Sequence, residues 1–271
     1  MRWICEALSV SRSGYYAWLR RPESRREIEN RHLLAKIVRI HDASRKTYGA
    51  PRIHAELRQQ QPCSKNRVAR LMRQTGLKTV MHKLWQQSEQ GHKFENTKEN
   101  ILNRNFYSSQ PNKRWVMDIT QIPTAEGWLY LAAILDLYSR KIVGWSMKPT
   151  AYSDLAEDAL QMALWRRGKV KDLLLHTDQG IQFRTGKYHT ILKNNNIEAS
   201  MSRKANCHDN AAMESFFHTL KTEHTHHHRY KSRNEAKQSI FEYIEVFYNQ
   251  QRRHSYLDYL TPDEFERQYV S

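Results

Sequence analysis

Between Arg114 and Met147 three apolar runs follow one another with only short breaks, at Glu126-Gly127 and Ser139-Arg140. Runs this short, split by turn residues, predict an antiparallel meander of Arg114 to Pro123, Trp128 to Leu137 and Lys141 to Met147. A fourth segment, Asp172 to His176, carries Leu173-Leu174-Leu175 without alternation, as a strand buried on both faces does. A helical pattern from Ser153 to about Arg167 precedes it, with Leu155, Ala159, Met162 and Ala163 inward. Another, near Thr185–Asn195, separates it from a fifth strand, Ile197–Met201. The pattern predicts an α/β domain: a mixed sheet flanked by helices. Further helices are expected at Asn210 to His224 and Ser232 to about His254, and Thr261, Pro262 and Glu264 predict a capped final one.

The first 80 residues read as short helices. Trp3, Ala7 and Leu8 share one helical face, and Ser11 caps a segment through Tyr15, Trp18 and Leu19 that Pro22 ends. Ile28 to Asp42 predicts a longer helix with Leu33, Leu34, Ile37, Val38 and His41 inward. A turn at Tyr48-Gly49-Ala50-Pro51 leads to a helix carrying Ile53, Ala55 and Leu57. Ser64 then caps Lys65 to Met72, which stops at Gly76. Two short helices with a tight connection, the second rich in Lys and Arg, read as helix-turn-helix-like. Lys65, Arg67, Arg70 and Arg73 are its candidate DNA contacts. The layout expected is a helical region over 1–80, a linker over 81–110, an α/β core over 111–225 and a helical extension over 226–271.

Charge supports this division. The chain carries 44 Lys and Arg against 28 Asp and Glu, a net +16. Residues 1–110 hold 22 basic and 9 acidic side chains, or +13, and the rest hold 22 and 19, or +3. A basic arm ahead of a nearly balanced body points to a polyanionic partner. Cys5, Cys63 and Cys207 are too scattered for a disulfide framework or a cysteine-rich zinc module, which suits a reducing compartment. The longest apolar run, Trp128 to Leu135, falls far short of the ~20 residues that cross a bilayer. A cytoplasmic protein without a membrane partner is expected.

Three carboxylates stand out by position. Asp118 interrupts an apolar strand, Asp178 follows the buried strand, and Glu214 lies in a helix with Met213, Phe216, Phe217 and Leu220. Carboxylates in such places are costly without compensation, and several together repel one another. A pair of Mg²⁺ ions would remove both penalties and is suited to phosphodiester chemistry. Asp136 and Asp209 compete for the same role, and composition does not rank them.

Trp115-Val116-Met117-Asp118-Ile119-Thr120, His176-Thr177-Asp178-Gln179-Gly180 and the run Asp209 to Phe217 resemble the DDE motifs of bacterial insertion-sequence transposases. The resemblance is to the large family encoded by two overlapping frames, and to its second-frame, integrase-like OrfB half. Thirty-five residues separate Asp178 from Glu214, the family's hallmark spacing. The tail Phe247-Tyr248-Asn249 through Arg252-Arg253-His254, then Leu260-Thr261-Pro262, also matches, as does Thr47 to Ile53 in the arm. The sequence departs from the family's habit at Ala205, His208 and Phe183.

This resemblance implies a ribonuclease H-like fold related to retroviral integrases, with Asp118, Asp178 and Glu214 as catalytic and metal-binding triad. It implies Mg²⁺, with Mn²⁺ as substitute, as a pair of ions. The reaction implied is 3′-end cleavage by an activated water, then strand transfer by the freed hydroxyl, without a covalent enzyme–DNA intermediate. Partners implied are insertion-sequence ends and target DNA, further copies of the chain on DNA, and the first-frame product or its frameshift fusion, at the bacterial nucleoid. Asn210, Glu214, His218 and Lys221 share one helical face; related integrases imply DNA contact for Lys221, and Asn210 is a further candidate. Arg203-Lys204 and Arg252-Arg253-His254 are candidate phosphate contacts, a solvated charge run being the competing expectation. His224, His226, His227 and His228 invite a zinc reading, against which a solvated loop is expected. Rival functions are a catalytically silent DNA-binding regulator and a ribonuclease H-type nuclease. With ~6–10 phosphates contacted, DNA affinity of the chain should fall ~10³–10⁵-fold between 50 and 200 mM salt, measured by filter binding; a flat response would remove the basic arm from the interface.

Overall fold

The computed structural model describes residues 2–80, 99–203 and 207–270. The chain divides into two compact units, Met1–Thr79 and Val80–Ser271. In the first, α1 (Arg2–Ala7) and α2 (Arg12–Leu19) precede α3 (Arg25–Ala43), α4 (Ala50–Leu57) and α5 (Lys65–Gln74). The caps follow from the sequence: the Ser11, Ser24 and Ser64 hydroxyls each accept a first-turn N–H, and Ser24 with Glu27 forms a full capping box. Leu33, Ile37, Ile53, Leu57, Val68, Leu71 and Met72 close one small core. Val38 of α3 departs from expectation and stays exposed, and Trp3 and Leu8 are exposed as well.

The second unit holds a five-stranded sheet in the order β3-β2-β1-β4-β5, formed by Arg114–Thr124 (β1), Gly127–Asp136 (β2), Ile142–Lys148 (β3), Leu174–Thr177 (β4) and Glu198–Met201 (β5). The three leading strands are antiparallel, while β4 pairs parallel with both β1 and β5. This is the predicted mixed sheet. β4 is buried along its whole length, as its unbroken leucines require. On one face Trp115, Met117, Ala132, Ile134 and Val143 pack against α6 (Ser153–Arg167) and α7 (Gly186–Asn194). On the other, Val116, Leu131, Ala133 and Leu135 pack against α8 (Ala211–Glu223), α9 (Arg233–Glu242) and the turn that follows it. A capping box between Thr261 and Glu264 starts α10 (Pro262–Val270), as expected.

Two expectations need correction. Residues 99–107 do not read out as linker: Leu102 is buried in the core on the α8 face, and the Ile101 and Leu102 N–H groups donate to Ser200 Oγ. The remaining part of the expected linker, 81–98, lies outside the described residues. The long helix expected to reach His254 changes at Tyr243–Tyr248 into a π-helical turn. Tyr243, Ile244, Phe247 and Tyr248 are all buried in this turn. Just beyond it, the Asn249 amide pairs with both backbone groups of Ile142, capping the edge of β3. Among the described residues no helix is long and apolar enough to cross a membrane.

Helix α6 lies close on β3 because Gly144 faces Ala159 and Ala163. A Cβ at Gly144 would sit 2.7 Å from the Ala163 Cβ and closer still to the Ala159 carbonyl. Asp136, at the end of β2, is fully buried and accepts from the Asn112 and Tyr138 N–H groups and the Trp115 indole. Burial pushes its carboxyl up to about 6, although those donors oppose the shift.

Gly144→Ala should cost ~1–3 kcal/mol or more in urea unfolding, because backbone and a buried methyl must give way. An unchanged midpoint would show that α6 can slide. Folded Asp136 keeps its proton through a window in which the unfolded carboxyl has lost it, so its contribution is present below pH 3.8 and lost as pH rises through about 6. The stability of Asp136→Asn relative to the parent should therefore rise by ~1–3 kcal/mol from pH 4 to pH 7. A difference independent of pH would return that carboxyl to the ordinary range.

Candidate active site

Asp118 lies mid-strand in β1, opposite Ala133 of β2, and is half-buried. Side chains alternate along a strand. Asp118 therefore shares the face of Val116, which packs with α8, and not the face of Met117. β1 and β4 are paired in parallel with Val116 beside His176. Asp118 and Asp178 each follow that pair by two residues, Asp178 lying just past the end of β4. Its Oδ1 accepts from Gly180 N–H at 2.8 Å, turning the chain sharply. A Cβ at Gly180 would come within 2.9 Å of that oxygen, so a side chain there would have to displace the Asp178 carboxylate. Asp118 Oδ1 in the same way accepts from the next N–H, of Ile119, at 2.7 Å.

Glu214 sits in the first turn of α8 and is exposed. The helix is tied to the sheet one turn earlier, where Asn210 Nδ2 donates to the Met117 carbonyl at 3.3 Å. Asn210 is buried, while Glu214 and His218 are exposed and Lys221 is half-buried. Glu223, two residues after Lys221, is held by Arg252, and Lys221 makes no ion pair among the described residues. Carboxylate oxygens are hard donors of the kind Mg²⁺ takes, so the chemistry of this set fits a divalent ion. Among the described residues, no three His, Cys, Asp or Glu side chains are grouped closely enough to hold one.

The two competing acids separate cleanly. Asp136 points to the α6 face, where it meets Trp115, and so lies across the sheet from Asp118. Asp209 is fully buried and ion-paired with Arg104 and Arg203. Hydrogen bonds from Arg203 hold its carboxyl well below the usual range. Both are committed to the fold.

The candidate DNA contacts divide as well. On α5, Lys65, Arg70 and Arg73 are exposed, but Arg67 is tied back to Asn30 and Glu29 of α3. Arg203 is bound to Asp209, and Lys204, with Ala205, lies outside the described residues. The expectation for Arg252-Arg253-His254 is corrected: neither arginine is solvated. Arg252 forms a bidentate pair with Glu223 at 2.7 Å, and Arg253 donates to the Tyr259 carbonyl. His254 is half-buried, with its ring edge-on to Tyr248. The histidine cluster is also not a simple solvated loop: His224 is buried, stacked on Tyr243 and bonded to Ser239.

One arrangement escaped sequence reasoning. His176 is buried between the Ser200 and Ser202 hydroxyls, at 2.8 and 3.0 Å. Ser200 Oγ already accepts two backbone N–H groups, so its own proton goes to His176 Nδ1, leaving Nε2–H to donate to Ser202. Burial pushes this imidazole down to about 4, keeping it neutral two residues before Asp178. The Ser-x-Ser alternation of β5 was the available signal, and its partner became visible only once β4 and β5 were paired.

Comparison with known proteins bears on this geometry. Residues 108–207 and 214–270 match two integrase core domain families, and residues 27–84 match an HTH-like domain. The chain is 43% identical over 267 residues to the transposase InsF for insertion sequence IS3A of Escherichia coli (strain K12), spanning 97% of this chain and 92% of that one. It is 39% identical to an uncharacterized 31 kDa protein of insertion element IS600 of Shigella sonnei, over 98% of each chain. Among solved structures, a simian T-cell lymphotropic virus intasome in complex with the PP2A regulatory subunit B56 gamma aligns with TM-score 0.49 and 14% identity over 85% of this chain and 74% of that one. The HTLV-2 integrase catalytic core in complex with magnesium aligns with TM-score 0.44 and 16% identity, over 59% and 99%. At 43% identity across nearly its whole length, this chain belongs to the family of insertion-sequence transposases that includes InsF, with an HTH-like unit ahead of an integrase core.

Proposed function

We propose that this transposase cuts and rejoins DNA at Asp118, Asp178 and Glu214, with a pair of divalent ions, Mg²⁺ or Mn²⁺, held between them. The observation that carries the reading is strand register. Val116 pairs with His176, two residues before Asp118 and Asp178, and Asn210 bonds the Met117 carbonyl one turn before Glu214, which supports the reading. The ions, when bound, acidify the attacking oxygen and neutralise the leaving one at the phosphodiester.

The chain's own groups do the rest. The three carboxylates supply the oxygens that hold the cations. Backbone N–H bonds from Ile119 and Gly180 orient Asp118 and Asp178. Lys221, on the Glu214 side of α8, offers its ammonium to a DNA phosphate. Lys65, Arg70 and Arg73 on α5 offer further phosphate contacts to the insertion-sequence end. First a water, then the freed 3′ hydroxyl, attacks phosphorus; in each case the attacking oxygen loses its proton and the 3′ oxygen of the broken bond leaves. The work is done at the bacterial nucleoid, by several copies on DNA, with the first-frame product or its frameshift fusion as a further partner.

The test uses the full chain and pre-cut or supercoiled insertion-sequence-end DNA. Asp118→Asn, Asp178→Asn and Glu214→Gln should each lower strand transfer by ~10³-fold or more while leaving DNA affinity within ~3-fold. Undiminished transfer in any one variant would remove that residue from the triad. DNA binding by the parent with no metal-dependent cleavage would instead identify a regulator, and hydrolysis of RNA–DNA hybrids without strand transfer a nuclease.

A further inference from the structure

Helix α8 begins in a knot of hydrogen bonds centred on Asp209. This residue lies in the 3₁₀ turn Cys207–Asn210 and is fully buried. Its Oδ1 accepts from Arg104 Nε and Arg203 Nη2, each at 3.0 Å. Its Oδ2 accepts from Asn100 Nδ2 at 2.8 Å and from the Arg203 N and Nε groups at 3.0 Å. Five donors from two separate segments thus converge on one carboxylate.

The neighbouring residue, Asn210, holds the Met117 carbonyl. Residues 209 and 210 therefore tie the start of α8 to two different bodies: the segment 100–104 and strand β1, one residue before Asp118. Glu214 follows about one turn later, ~6 Å along the axis at 1.5 Å per residue. A helix does not bend over so short a span. Where Glu214 stands relative to Asp118 is set by how firmly those two residues are held. The segment 100–104 is itself anchored, through the Ser200 hydroxyl and the buried Leu102 side chain. It lies ahead of residue 108, where the match to the integrase core begins.

We propose that Asp209 is a positioning residue for Glu214, and that residues 100–104, ahead of the integrase core match, belong to the catalytic machinery through it. The inference rests on the reading of Glu214 as a catalytic carboxylate. Asp209 itself touches no substrate: its oxygens are saturated by protein donors. Its arginine partners are a different matter, because Arg104 and Arg203 are 46% and 52% exposed to solvent. A DNA-contact role for them would appear in KM, whereas positioning of Glu214 appears in kcat.

The test measures strand transfer from pre-cut insertion-sequence-end DNA by the full chain. Asp209→Asn keeps the shape and one acceptor but removes the charge that draws both arginines. It should lower kcat ~10–100-fold, the scale of a displacement of about 1 Å, with KM for DNA within ~3-fold. Arg104→Ala should lower kcat by a smaller factor in the same direction, and the double variant should be no slower than Asp209→Asn alone, since both act through one contact. Circular dichroism reports whether each variant is folded. If Asp209→Asn does not fold, the part-exposed Arg104→Ala decides, and an unchanged kcat there overturns the proposal. So does a folded Asp209→Asn with kcat within twofold of the parent, or a loss confined to KM. Glu214→Gln serves as reference. If it stays active, both this inference and the triad fall; if it is inactive while Asp209→Asn keeps its rate, only this inference does.

Discussion

Parallel pairing between β1 and β4 is the contact on which the rest of the catalytic unit depends. The meander β1-β2-β3 by itself would leave Asp118 on an edge strand with no acidic neighbour. A parallel partner must arrive by a crossover, here through α6, and the carboxyl end of β4 then falls beside the middle of β1, just before Asp118. Open α/β sheets bind ligands outside such strand ends. The same pairing makes β1 a central strand with apolar layers on both sides. A carboxylate in its middle then has one direction to face, toward α8.

The acidic residues of this unit fall into two groups that sequence position does not distinguish. Asp136, Asp209, Glu157 and the Glu223 side chain are buried, and each is met by donors or cations of the chain itself. A buried ion costs several kcal/mol in lost hydration, so such groups persist only where geometry compensates. Asp118, Asp178 and Glu214 instead keep partial or full exposure. Exposure is what a group needs to reach a cation or a phosphodiester, and burial with saturated oxygens is what a structural anchor needs. That contrast ranks the five candidate aspartates and glutamates that composition left equal.

Helix starts were the most legible features, since a capping hydroxyl acts on N–H groups two or three residues away. Ser11, Ser64 and Thr261 perform as their local sequence requires, whereas the Ser24 capping box was missed, so that the helix expected from Ile28 starts at Arg25. Strand positions were legible within a residue or two because alternation and turn residues are local as well. Residues 99–107 were misread because polar composition suggests a linker, yet one buried leucine and a few backbone donors suffice to dock a short segment. The π-helical turn at Tyr243–Tyr248 escaped because its sequence is a good α-helical one. Arg252 and Arg253 read locally as a basic run, whereas in the fold they meet Glu223 and the Tyr259 carbonyl.

By itself, the sequence determined most of the strand and helix inventory and the basic arm, because caps, alternation and charge runs are encoded within a few residues of one another. It did not determine which acids serve the fold and which remain accessible. That choice fell to tertiary structure: sheet register sets which face a carboxylate takes, and packing sets whether arginines arriving from far along the chain reach it. Asp209 makes the point, since two of its donor groups, on Asn100 and Arg104, lie more than a hundred residues away.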